Sequence, residues 1–243
     1  MLWWVQRVIR RRGCRLRSRA IDVSALEGYT GRTEVGAAPG GRGDLVRHLR
    51  SASFADEELV DAGLAHRAHD GGPVTDFFRS RVLVPLRGSE GTLSRIVGRD
   101  VGDARWAKYK NSPRTVLYDK SVDLYQPLPL PERPQGGIVV VEGTMDPMAI
   151  AAAAVAAGVA RLHYPATRSG KELSALQVAR LSSTSHATLV LALDGDHPGR
   201  EARGRLAGSS PQSRKEGGGG GLADGADPAS WLALYGTAGP DSF

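Results

Sequence analysis

The stretch Ile138-Val-Val-Val-Glu142-Gly-Thr-Met-Asp146 decides how this chain is read, together with Leu189-Val-Leu-Ala-Leu-Asp194-Gly-Asp196. Each is a run of β-branched and aliphatic residues that ends at a carboxylate, which predicts a buried strand with an acidic tip. In an open parallel sheet such strand ends line up along one edge, where ligands bind. A Glu from one strand and an Asp-x-Asp from another then meet at one point. Hard oxygen donors at a shared point suit Mg²⁺ or Mn²⁺ far better than Zn²⁺. Phosphoryl transfer uses such an arrangement, because ions held there stabilise attacking and leaving oxygens together.

The flanking residues support this placement. Asp146-Pro147 after the first acidic tip predicts a helix start, with Asp at the N-cap and Pro at the first helical position. The alanine-rich stretch from Met148 to Ala157 continues the helix and Gly158 closes it. A short strand (Arg161 to Tyr164) and a helix (Lys171 to Ser182) follow, then the second acidic strand and a further helix at Pro198-Gly199-Arg200-Glu201-Ala202. Strands alternating with helices predict a parallel α/β sheet.

With these elements in place, Glu142-Gly-x-x-Asp146 and Asp194-Gly-Asp196-x-x-Gly199-Arg200 resemble the signature of the Toprim domain. That domain is shared by bacterial DnaG-type primases, type IA and II topoisomerases and some nucleases. Upstream residues narrow the resemblance to primases. Phe77-Phe-Arg79-Ser-Arg81-Val-Leu-Val-Pro85-Leu is similar to the stretch that opens the strand region of the primase core, and Val97-Gly98-Arg99 resembles the family's Gly-Arg element. Lys108-Tyr109-Lys-Asn111-Ser112-Pro113-x-Thr115, then Tyr118-Asp-Lys120 and Leu124-Tyr125, is close to a primase-specific run. The similarity extends from about Gly36 to Trp231.

The resemblance implies an α/β fold in which a Toprim-like parallel sheet flanked by helices follows a small α+β basic subdomain. It implies a core that condenses ribonucleotides on single-stranded DNA with two Mg²⁺ (or Mn²⁺) ions and no zinc. Asp194, Asp196 and Asp227 would hold metal, Glu142 would hold metal or relay a proton, and Asp146, Gly199 and Arg200 would support them. The partners implied are a single-stranded DNA template, nucleoside triphosphates and the RNA primer. A replicative helicase or a separate zinc-domain protein would be a further partner. A topoisomerase is disfavoured because no strand-cleaving Tyr domain is visible, and an ATP-driven nuclease because no Gly-x-x-x-x-Gly-Lys-Ser/Thr loop exists.

The upstream cations have a physical reading of their own. Arg79, Arg81, Arg99, Lys108 and Lys120 fall in one segment, with Trp106 and Tyr109 interleaved. Cations interleaved with aromatic rings suit a nucleic-acid strand, phosphates meeting the charge and bases the rings. Arg also grips phosphate bidentately, which Lys cannot do. The same charges would serve a solvated basic face. With Asn111 of the primase-like run, these residues are the candidate contacts to template, nucleotide and primer.

Composition bounds the rest. The chain has 243 residues, 41% of them hydrophobic, enough for one or two modest cores. Its net charge of +6 comes from the beginning, where residues 1–20 hold seven Arg and no acid. The remainder carries 25 basic against 26 acidic residues, so nucleic-acid binding there would depend on segregated charge. Residues 1–35 are expected to match nothing in the family and to form a basic, disordered tail. Leu2-Trp3-Trp4-Val5 is too short for a signal sequence, and no apolar run approaches the length that spans a bilayer, so a cytoplasmic protein without a membrane partner is expected. Cys14 is the single cysteine, which excludes an internal disulfide and a zinc ribbon. The chain therefore reads as a core without zinc-binding and helicase-binding domains. His66 and His69 lack partners at metal-ligand spacing and are expected at the surface.

The expected domains are residues 36–130 and 131–243, joined near the stiff, Pro-rich Gln126-Pro-Leu-Pro-Leu-Pro-Glu-Arg-Pro134. Residues 41–64 are expected to form a helical pair, its second helix started by Ser53 or Asp56 and ended by Gly63. Three departures from the Toprim pattern stand out. Ala229 occupies the place of a second carboxylate after Asp227, and residues 209–221, Ser-Ser-Pro-Gln-Ser-Arg-Lys-Glu followed by five Gly, cannot form the buried strand that should deliver Asp227. Tyr164-Pro-Ala-Thr167 replaces a Gly-Thr turn, keeping Thr167 while Pro165 restricts the backbone. Two readings follow. One is a primase-like enzyme, and the other is a degenerate Toprim module, a mobile-element or gene remnant that binds nucleic acid with weak catalysis.

Overall fold

The computed structural model describes Leu16 and residues 19–32, 35–87, 93–100, 107–113, 124–128, 136–168, 176–177 and 189–192. The chain divides into two units, one comprising Met1–Arg15, Thr33–Leu86 and Leu93–Asp119, the other comprising Leu16–Arg32, Arg87–Thr92 and Lys120–Phe243.

The second unit contains the stretch that decided the fold. Helix α1 (Val23–Thr30) begins it, with the Asp22 side chain accepting hydrogen bonds from the Ser24 and Ala25 amides, and Gly31 closing it in the left-handed conformation. Over residues 19–32 this corrects the expectation of a disordered tail, while residues 1–15 of that tail lie outside the described residues. Arg-rich composition concealed a short helix with both caps, which anchors through buried Ile21 and Leu26 and packs on a later helix.

In the first unit, strand β1 (Gly36–Ala38) is followed by helices α2 (Asp44–Ser51) and α3 (Asp56–Asp61), the expected pair. The start of α3 differs in detail, since Ala55 is the N-cap residue and the Glu58 carboxylate reaches back to accept its amide at 2.7 Å. Arg50 forks onto Asp56 at 2.7 Å through Nε and Nη2, and that bond holds the Asp56 carboxyl below its ordinary value. Val46, Leu49 and Leu59 pack against Ala65 and Val74 of a hairpin formed by β2 (Ala65–Arg67) and β3 (Val74–Asp76). Strands β4 (Arg81–Arg87), β5 (Leu93–Asp100) and β6 (Tyr109–Asn111) join β1 in a sheet of order β1-β4-β5-β6.

The second unit resumes at β7 (Leu124–Tyr125). Both of its residues are buried and pair antiparallel with β9 (His163–Arg168), so they belong to the acidic sheet. Strand β8 (Gly137–Val141) lies inside that sheet, whose order is β10-β8-β9-β7 with β10 at Leu189–Leu191. β8 is parallel to both neighbours, with Val140 opposite Leu191 and opposite Ala166. Its residues Ile138 to Val141 are all buried, as a strand covered on both faces requires. Helix α4 (Asp146–Ala156) crosses from β8 to β9. It is apolar nearly all round, and its small alanine surface lets α1, β8 and β9 approach it closely.

β9 runs four residues beyond the expected Tyr164, straight through Pro165. Proline is tolerated there because β7 joins only at Thr167 and Arg168, leaving Pro165 bordered by β8 alone among the described strands. The expected helix over 171–182 is described only at 176–177, and the Gly-rich interruption at 209–221 and Ala229 lie outside the described residues. Among the described residues no helix is long and apolar enough to cross a membrane.

Candidate active site and nucleic-acid interface

Glu142 is the first residue beyond β8, so the strand delivers it to the carboxyl edge that β10 shares. It is half-buried, and its carbonyl oxygen accepts the Thr167 hydroxyl of β9 at 2.8 Å. Asp146 is not the N-cap that the sequence predicted. Met145 takes that position, and the Asp146 carboxylate turns back onto the loop, where Oδ2 accepts the Gly143 amide at 3.0 Å. Asp146 is only 4% exposed, and Oδ1 lies 3.6 Å from Arg19 Nη2. A cation close by and a bonded amide make a carboxylate at that depth tolerable.

β10 carries the backbone as far as Ala192, whose amide donates to the Val140 carbonyl at 3.0 Å. Asp194, Asp196, Gly199, Arg200 and Asp227 follow it in the chain and lie outside the described residues. Among the described residues no three His, Cys, Asp or Glu side chains gather as a metal-holding group. The described member of the expected set, Glu142, places a carboxylate at a parallel-strand end, and carboxylate oxygen is the donor chemistry that a hard divalent ion takes.

The basic cluster belongs to the first unit. Arg99 and Tyr109 face each other across the β5–β6 ladder. The Arg99 guanidinium donates from Nη1 to the Tyr109 hydroxyl and sits 5.0 Å from its ring centroid. Lys108 is exposed, with Nζ 5.8 Å from the same ring. Two cations and an aromatic face are thus held together by strand register. Asn111 is also exposed on β6, Arg79 is half-buried before β4, and Lys120 lies outside the described residues, as does Trp106.

Arg81 departs from the expected surface role. It is 5% exposed, and Nη1 donates to the carbonyls of Gly98 at 3.2 Å and Ala107 at 2.9 Å. It acts as an internal strut tying β4 to β5 and to the approach of β6. The Val97-Gly98-Arg99 element has a steric cause in the same place, because a Cβ on Gly98 would lie 2.7 Å from Phe78 Cδ1 and 2.9 Å from Arg81 Cδ.

Two residues here escaped the sequence reading. Lys110, beside Tyr109 in the primase-like run, donates from Nζ to the Phe77 carbonyl at 2.6 Å and lies 3.7 Å over the Phe77 ring. Burial, then the neighbouring Arg81 and Arg79 charges, push its ammonium below the usual lysine range. Asp76, 1% exposed, accepts the Leu45 and Val46 amides at 3.0 and 2.9 Å and so caps α2 from a distant strand. Lys110 carried a local signal in its basic-aromatic surroundings. The pairing of Asp76 with α2 is tertiary and left none.

Comparison with known proteins agrees with this geometry. The family described as DNA primase catalytic core, N-terminal domain, matches residues 15–128, so it reaches into the segment expected to lie outside the family. A Toprim-like family matches residues 139–216. The fold and its acidic strand end therefore place the second unit in the Toprim class. A DNA primase of Pseudomonas putida is 32% identical over 230 residues, covering 91% of this chain and 34% of the relative. The crystal structure of the RNA polymerase domain of Mycobacterium tuberculosis primase DnaG superposes with a TM-score of 0.72 at 30% identity, covering 93% of this chain and 72% of that one. The same domain in complex with a double-stranded DNA oligomer with a 6-nucleotide overhang gives a TM-score of 0.72 at 29% identity, covering 93% and 70%. The chain belongs to the family of bacterial DnaG-type primase catalytic cores. It spans about a third of the length of the curated relatives it matches.

Proposed function

We propose that this chain synthesises RNA primers on single-stranded DNA during replication, as a metal-dependent primase core. The observation that carries the reading is a Toprim sheet whose parallel strands β8 and β10 share one carboxyl edge, in a chain of primase-core family. In this reading Glu142, Asp194, Asp196 and Asp227 hold Mg²⁺ or Mn²⁺. When bound, the ions would supply positive charge against the attacking and leaving oxygens of nucleotide condensation.

The chain's own residues have separable tasks. Glu142 holds metal or takes the proton of the attacking 3′-hydroxyl. Arg99, Lys108, Asn111 and Lys120 take the phosphates of template, triphosphate or primer, while the Tyr109 ring keeps Arg99 aimed. Half-buried Arg79 stands with them, and Arg81 holds their strands in register. DNA appears with the related mycobacterial domain, which supports the interface assignment. The family matches support the enzyme over a degenerate binding module.

The test is primer synthesis on single-stranded DNA with Mg²⁺ and with Mn²⁺, beside a Glu142→Gln control. Metal-dependent RNA products that vanish in the variant are expected. Absence of product with either metal, or equal product from the variant, would refute the reading.

A further inference from the structure

The loop that carries Glu142 is pinned from two directions by groups outside the chemistry just described. From β9, the Thr167 hydroxyl donates to the Glu142 carbonyl at 2.8 Å. Thr167 is opposite Val141 in the ladder and 1% exposed, so its side chain bridges to the first residue beyond β8 where water does not compete. From α4, Asp146 holds the Gly143 amide at 3.0 Å, and Arg19 stands 3.6 Å from the other oxygen of that carboxylate. The bonds to the Glu142 carbonyl and the Gly143 amide flank one short stretch of backbone, from which the Glu142 carboxylate projects.

We propose that Thr167 and Arg19 are positioning residues for Glu142, Thr167 directly and Arg19 through Asp146. Neither touches substrate. They fix the backbone on each side of a carboxylate that must meet a metal ion or a proton at a set place. The inference rests on the role given to Glu142 above. Outer partners of metal ligands are typically worth roughly 10- to 100-fold in affinity or activity, and a displacement near 1 Å costs about 100-fold.

Thr167→Val keeps the shape and removes the donor, and Thr167→Ser restores it. Arg19→Met and Arg19→Lys form the second pair and leave the strand ladder untouched. Each variant is measured for Mn²⁺ affinity by electron paramagnetic resonance of the free ion, Mg²⁺ concentration at half-maximal primer synthesis, single-stranded DNA affinity, and Tm. T167V should weaken Mn²⁺ binding and primer synthesis by roughly 10- to 100-fold while DNA affinity stays within about twofold of wild type. T167S should recover most of the loss. R19M should shift both metal readouts in the same direction, with R19K closer to wild type.

Wild-type Mn²⁺ affinity and Mg²⁺ requirement in T167V, even with a lowered Tm, would overturn the proposal, and so would T167S as impaired as T167V. Should T167V not fold, R19M decides on its own, since unchanged metal binding there overturns the proposal. Glu142→Gln separates two failures. If it changes neither metal binding nor synthesis, the role of Glu142 is wrong. If it abolishes both while T167V and R19M change neither, only the positioning inference falls.

Discussion

Replacing Gly98 by Ala tests whether the basic interface and the core beneath it are one packed object. The added methyl would stand 2.7 Å from Phe78 Cδ1 and 2.9 Å from Arg81 Cδ. Carbon atoms pack at about 3.5–4.0 Å, so the neighbours must yield about 1 Å. Phe78 is fully buried and meets Phe77 edge-on with ring centroids 5.0 Å apart, which blocks an easy retreat. Overpacking of this kind costs about 1–3 kcal/mol. If Arg81 moves instead, one of its bonds to the Gly98 and Ala107 carbonyls weakens, worth about 1.5–3 kcal/mol for a charged donor. A less flexible unfolded chain offsets about 0.4–1 kcal/mol. The net destabilisation is about 0.5–2.5 kcal/mol, and at about 2–4 °C per kcal/mol for a chain of this size, Tm should fall by roughly 1–10 °C. Urea and thermal unfolding followed by circular dichroism measure this, and fluorescence anisotropy should show weaker single-stranded DNA binding as Arg99 is displaced. A Tm within about 1 °C of wild type with unchanged DNA affinity would refute the packing argument.

Further outcomes follow from the same geometry. Asp76→Ala strands the Leu45 and Val46 amides at the start of α2 and should cost about 1–3 kcal/mol in a urea melt, and an unchanged midpoint would contradict the cap. Arg99→Ala and Lys108→Ala should each lower the slope of log affinity against log salt by about 0.7–1, and salt dependence equal to wild type in both would remove them from the interface. Burial chiefly, then nearby Tyr29, raises the Tyr164 phenol above its ordinary value of 10.0. The folded state therefore keeps a proton that the unfolded chain gives up. The associated stability is full below pH 10 and is lost as pH climbs through the raised value. The stability difference between wild type and Tyr164→Phe should shift accordingly above pH 10, and parallel alkaline melts would contradict it.

What the sequence disclosed follows from which forces are local. β8 and β10 announce themselves because a strand buried on both faces must be apolar at every position, and α4 because alanine favours helix while Asp-Pro favours its start. The start of α3 is equally local, through acids in its first turn and the Glu58 carboxylate on the Ala55 amide, whereas the cap of α2 comes from distant Asp76. By contrast, α1 was obscured by the arginines around it, since composition outweighs a single cap and two buried apolar side chains. Arg81 reads as surface charge in any linear inspection, and only three-dimensional packing turns it inward onto carbonyl oxygens. Asp146 looked like a helix cap by position, yet its carboxylate serves the loop before it. For the site, Glu142 was legible together with its strand and is where the sheet edge requires it, whereas Thr167 showed only as a surviving residue of an altered turn.

The Toprim unit is not a continuous piece of chain. α1 lies against α4, which is made roughly 120 residues later in synthesis. On the ribosome, Ile21 and Leu26 must therefore wait in water while every strand of the first unit emerges and pairs ahead of them. Closing so long a loop late makes α1 docking a high-contact-order step. A fragment begun at Gly36 would keep all four described strands of the acidic sheet and still leave the α1-facing side of α4 uncovered. Expression boundaries drawn from the Toprim motif alone would thus cut away part of the hydrophobic support of the domain they aim to isolate.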